Sequence, residues 1–247
     1  MSAGPGPLRA LLARATAPPP YETTPADLQA FDLFGLRLPI RATVTIAVVT
    51  FAILFDYSRT FLPPEIMPPG RGPDALRVQA IERAILFGLV PLAVIVLGFR
   101  DRPSRYGVTL GDARWGLALM LAGCVIMTPI VLWFATLPDA QAYYAVGAGP
   151  IPDVIVTNAL ELTAAEFALR GFLAMVLIRT IGPLGVLVAV MPFVFAHLGK
   201  PEVELFSTLF GGMAYGWLAW RTQSIVWGSI AHVYILTLVT VAAGGAG

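Results

Sequence analysis

One apolar stretch with charges buried in it constrains this chain more than any other feature. Residues Ile155 to Ile178 read IVTNALELTAAEFALRGFLAMVLI. A helix of that length and apolarity crosses a bilayer, yet Glu161, Glu166 and Arg170 fall near its middle. Ionisable groups at that depth are costly unless paired or hydrated, so they mark a working site or a structural lock. Glu166 and Arg170 are four residues apart, on one helical face, with the acid N-terminal to the base. Glu161 lies about 140° around the helix from Glu166 and meets a different neighbour.

The rest of the chain fits the same environment. Of its 247 residues 57% are apolar and 13% charged, about half the charge of a soluble domain. Several runs reach membrane-spanning length, which predicts an all-α, polytopic transmembrane helix bundle of about seven to eight spans. Lys and Arg form no dense patch, so nucleic acid is not an expected partner. The partners implied are membrane lipid and a membrane-associated peptide or protein. Cys124 stands alone, which leaves no internal disulfide and no thiolate metal site.

Residues 1–39 read as a mobile or surface-lying arm, rich in proline, and 40–247 as the transmembrane domain. Within the arm, Ala26–Leu36 is expected as a short amphipathic surface helix, with Phe31 and Phe34 dipping into lipid. Spans are expected at Ile40–Tyr57, Ala84–Phe99 (opened by a helix from Leu76), Trp115–Phe134, Ile155–Ile178, Gly182–His197, Leu205–Trp220 and Ser224–Val241. Pro91 and Pro129 interrupt two of them. Residues 62–72 read as a Pro/Gly loop. Leu137–Pro150 also reads as a loop, its Tyr143 and Tyr144 suited to the membrane interface. Gly212 and Gly216 form a G-x-x-x-G step for close helix packing. With the N-terminus inside, inner segments hold ten Lys or Arg and outer ones five, which places the N-terminus inside, in a plasma (inner) membrane.

The chain has two histidines, His197 and His232, both in apolar helices of the second half. With Glu166 they make a set drawn from three helices. Such a set serves a divalent metal or a reactive water. Each group also has a plainer use. A Glu–Arg pair fixes helix register, and a membrane histidine bonds a facing helix. Lys200, Glu202 and Glu204, just past His197, are further polar groups at the mouth of such a site, or only a loop.

Ala165-Glu166-x-x-x-Arg170-Gly171-Phe172 resembles the E-E-x-x-x-R motif of the CAAX protease and bacteriocin-processing (CPBP, or Abi) membrane proteins. Phe193-x-x-x-His197 is similar to their second motif. The stretch from Gly212 through Arg221-Thr222-x-Ser224-Ile225 to His232 resembles the next helix and loop. The resemblance covers residues 155–240. It implies an intramembrane endopeptidase that uses no cofactor, a divalent metal being the weaker option. In that family the first glutamate and the second-motif histidine activate a water. The last-motif histidine, with a polar residue four later, steadies the oxyanion, and the arginine orients the glutamates. The implied catalytic residues are Glu166, Arg170, His197 and His232, with Glu161 as a stand-in base one turn before the first-glutamate position. That position is Ala165, and four residues after His232 stands Leu236, with Thr237 beside it. Both departures remove a chemical group. A catalytically impaired member, acting as a binding, immunity or assembly factor, is therefore the alternative. A carrier with Glu161 and Glu166 as a proton relay ranks third, since no inverted repeat is visible.

Overall fold

A computed structural model describes residues 6–58, 63, 65, 66, 68 and 70–245, the side chains of 7, 8 and 10 excepted. The start of the arm, part of the Pro/Gly loop of 62–72 and the last two residues lie outside the described residues. Apart from one hairpin, the regular structure described is helical. Helix α1 is Pro7–Thr16, and strands β1 (Ala30–Leu33) and β2 (Leu36–Pro39) follow. Then come α2 (Ile40–Ser58), α3 (Pro73–Gly98), α4 (Ala113–Phe134) and α5 (Pro138–Tyr144). Helix α6 runs over 151–181, α7 is Leu184–Phe195, α8 Glu202–Thr222 and α9 Val226–Gly244.

Every expected span falls on a helix. By length and composition, four helices are apolar enough to cross a membrane: α2, α3, α4 and α9, with α7 a shorter apolar helix. Large side chains such as Phe51, Leu97, Val125 and Met191 face outward from them, as Phe206 and Phe210 do from α8. In an integral membrane protein, such residues meet acyl chains.

Two expectations for local structure are corrected. Ala26–Leu36 is not a helix. Pro25–Asp27 is a single tight turn, and β1 pairs antiparallel with β2, Phe31 opposite Leu38. The two-residue loop Phe34–Gly35 has φ of 50° and 80°. That is the left-handed pair a twisted hairpin requires. Apolar residues also alternate through Phe31, Leu33, Leu36 and Leu38, the period of a strand. Leu137–Pro150 is not simply a loop either, because α5 starts at Pro138, a residue pre-set for a first helical turn. It turns Tyr144 inward, where its hydroxyl donates to Glu204, while Arg71 covers the ring of Tyr143.

The described part of the arm bonds to the helices. Trp217 Nε1 donates to the Thr16 carbonyl at 3.2 Å, and Trp220 Nε1 to that of Pro19 at 3.1 Å. Arg221 donates to the carbonyls of Arg14 and Ala15, which closes the end of α1, and its Nη1 reaches Asp112 at 2.9 Å. Asp27 is 1% exposed and bonds Arg41 at 2.8 Å and Arg105 at 2.9 Å. Asp101 takes the same two arginines from another loop.

The helical core is built by close approach. Helix α9 lies against α4 and the first half of α6, and α7 lies between α8 and the end of α6. A Cβ on Gly212 would stand 3.0 Å from Phe193, and one on Gly216 2.8 Å from Val186. The G-x-x-x-G step is therefore where α8 meets α7. Helices α3 and α6 both widen into π-turns, at Ala84–Leu89 and Val94–Gly98 on either side of Pro91, and at Phe167–Ala174. Proline explains the first pair, since it removes a donor and crowds the preceding turn.

Candidate active site

The π-turn of α6 holds Arg170 and follows Glu166 directly. Such widened turns gather at functional sites because they re-aim side chains. Gly171 is required here, for a Cβ on it would strike the Tyr106 carbonyl oxygen. Gly228 of α9 faces the same carboxylate, a Cβ on it standing 3.4 Å from Glu166 Oε2, which is ordinary contact.

Glu166 is 1% exposed and both of its oxygens are engaged. His232 Nδ1 lies 2.9 Å from Oε1, and Arg170 Nε lies 3.4 Å from Oε2. A carboxylate only accepts, so Nδ1 of His232 carries the hydrogen and the ring presents Nε2 away from Glu166. Tyr215 stacks on that ring, centroids 5.0 Å apart and planes 19° from parallel. Sequence reasoning did not single out Tyr215. Its one signal is its place inside the G-x-x-x-G step.

Arg170 is held by aromatic faces. Its guanidinium carbon lies 4.0 Å from the Phe193 ring centre and 5.5 Å from that of Tyr215. Cation–π attraction at a desolvated site is worth about 2 kcal/mol. It fixes the arginine beside Glu166, although Nη1 and Nη2 have no hydrogen-bond partner.

His197 follows α7 in a turn and is 8% exposed. Its Nδ1 lies 2.7 Å from the Phe193 carbonyl. That oxygen can only accept, so Nδ1 is the donor, and in the neutral ring Nε2 is then a lone pair. Nε2 faces Glu204 Oε1 at 3.9 Å. The Phe193 ring touches both imidazoles edge-on, at 4.3 Å for His197 and 6.0 Å for His232. Glu166, Arg170, His232 and His197 therefore gather around one phenylalanine. Among the described residues no three His, Cys, Asp or Glu side chains are grouped to hold a metal ion.

Glu161 is elsewhere. Its carboxylate bonds Arg83 of α3, which grips Asp56 through Nε at 2.6 Å and Nη2 at 2.9 Å. One guanidinium thus joins α2, α3 and α6. Glu161→Gln is expected to lower the stability of the detergent-solubilised protein by about 1–2 kcal/mol, because a buried cation loses one of two anions. Thermal unfolding reads this. A variant that melts like the wild type but loses all activity would return Glu161 to the site. Thr237 is also committed, accepting from Asn158 Nδ2 at 3.1 Å. Leu236 packs beside the apolar cluster of Val131, Phe134, Tyr144 and Val239 and brings no donor.

No curated protein and no solved structure matches the chain. One family model does, over residues 147–238: Rce1-like, described as type II CAAX prenyl endopeptidase Rce1-like. These residues run from the turn before α6 into α9 and contain Glu166, Arg170, His197 and His232. The segment that carries the candidate site is Rce1-like, consistent with a member of the CAAX protease and bacteriocin-processing family.

Proposed function

We propose that the protein is an intramembrane endopeptidase that hydrolyses a peptide bond in a prenylated or otherwise membrane-tethered substrate. The observation that carries this reading is the pair of histidines, each with Nδ1 turned to a fixed acceptor and its ring edge-on to Phe193, inside the Rce1-like segment. His197 Nε2 is the general base that takes a proton from water. His232 Nε2 bears the hydrogen that meets the developing oxyanion, and the Glu166 carboxylate balances the imidazolium this needs. Arg170 holds Glu166 in place. With both oxygens occupied, Glu166 serves as an orienting group for His232 rather than as the base. The chain is read with seven or eight spans in a plasma (inner) membrane and the N-terminus inside, on the arginine asymmetry. That end gathers Arg41, Arg105, Arg179 and Arg221 beside the arm.

A second reading, a binding or assembly factor without catalysis, is favoured by Ala165 and by Leu236 in its apolar packing. The two are separated by incubating the purified full chain in detergent with prenylated and lipid-tethered peptides. Cleavage of at least one peptide, lost in His197→Ala, is expected. No cleavage of any peptide, or equal cleavage by His197→Ala, gives the second reading.

A further inference from the structure

The peptidase reading leaves one place empty, for the position of the family's first glutamate is Ala165. A carboxylate stands beside His197 all the same, from another helix. Glu204 lies in the first turn of α8. Lys200 Nζ bonds its Oε1 at 2.8 Å and the Tyr144 hydroxyl donates to its Oε2, so three elements fix its position. Oε1 is 3.9 Å from His197 Nε2. In the neutral ring of His197, whose Nδ1 hydrogen goes to the Phe193 carbonyl, Nε2 is an acceptor, and so is the carboxylate. Two acceptors facing each other across that gap have nothing to exchange directly. A molecule with two donor hydrogens satisfies both, and water is that molecule.

We infer that Glu204 supplies the carboxylate that Ala165 lacks, and that with His197 Nε2 it holds the hydrolytic water; this rests on the peptidase reading. The water oxygen bonds to the scissile carbonyl carbon as its proton passes to Nε2. The C–N bond then breaks, and the imidazolium returns that proton to the departing amine. Glu204 accepts the water's second hydrogen bond and balances the imidazolium, and it is unchanged at the end. One water is consumed, and one acid and one amine form.

The test uses the full chain in detergent and a peptide that the wild type cleaves. It compares Glu204→Gln, Ala165→Glu with Glu204→Gln, and a control, Glu202→Gln, exposed in the same helical turn. Glu204→Gln is expected to lower kcat about a hundredfold with KM little changed, and Glu202→Gln to match the wild type. Adding Ala165→Glu is expected to restore rate to the Glu204→Gln protein, which a merely structural role for Glu204 would not allow. Melting curves identify any misfolded variant, and Glu204→Asp, which keeps the charge but withdraws it, then takes its place, with the same loss expected. If the wild type cleaves nothing, the peptidase reading and this inference fall together. If His197→Ala is inactive but Glu204→Gln and Glu204→Asp cleave as the wild type does, or if Ala165→Glu restores nothing to the folded protein, the assignment of Glu204 alone falls.

Discussion

His232→Ala is expected to lower kcat/KM for a cleaved peptide by about 10²–10³-fold, the usual cost of one oxyanion donor. Glu166→Gln is expected to cost a similar amount, although Glu166 touches no substrate. Its carboxylate meets His232 Nδ1 at 2.9 Å and supplies the negative charge that an Nε2–H donor on that ring requires. An amide oxygen still accepts from Nδ1, so the ring stays in place, but it no longer balances an imidazolium. The two residues act as one unit, and units are not additive. The double variant is therefore expected to be no slower than His232→Ala alone. Steady-state rates on one tethered peptide measure this, with melting curves run beside them because Arg170 loses a charge partner in Glu166→Gln. Losses that multiply would place Glu166 in a separate role, such as the base of the water-activating step.

The charged helix and both histidines were legible in the sequence because polar groups are rare in apolar stretches and each one stands out. Which groups meet was less legible. Glu166 and Arg170 pair within one helix, and their spacing of four gives that directly. The partner of Glu161 depends on how deep α3 sits against α6, and no residue pattern encodes that depth. The result is that Arg83 takes a carboxylate that looked free for chemistry. Glu204 shows the reverse case. It reads as a polar group at the mouth of the site or in a loop, and only the turn after α7 shows that it faces His197. The hairpin and α5 had signals that longer patterns masked. Phe34-Gly35 sits between short period-two runs, and Pro138-Asp139 is an ordinary helix start. The packing of Tyr144 against Glu204 follows from α5, so reading that segment as a loop also hid a contact of the site.

Asp27→Asn is expected to destabilise the protein by about 3–5 kcal/mol, the cost of removing one partner from a buried ion cluster. This carboxylate ties the arm to three arginines of other elements. Oδ1 meets Arg41 at 2.8 Å and lies 3.6 Å from Arg179 Nε, while Oδ2 meets Arg105 at 2.9 Å. Thr24 donates to Oδ2 from both its backbone and its hydroxyl. Burial alone would raise the pKa of Asp27; the Thr24 bonds, then Arg105 and Arg179, outweigh it and hold the carboxyl well below the ordinary 3.8. The sign of the pH effect follows. A group whose folded pKa is depressed contributes its full stabilisation above its unfolded value and loses it as pH falls toward the folded one. The wild type is thus expected to lose stability below about pH 4, with Asp101 adding to the slope because its own pKa is lowered. In Asp27→Asn the melting temperature should be lower at neutral pH and should fall less steeply in acid. Tryptophan fluorescence follows the arm itself, since Trp217 and Trp220 bond its backbone. If the variant melts with the wild type at neutral pH, the ion cluster is not what holds the arm, and the carbonyl bonds to Arg221 and the two tryptophans must carry it.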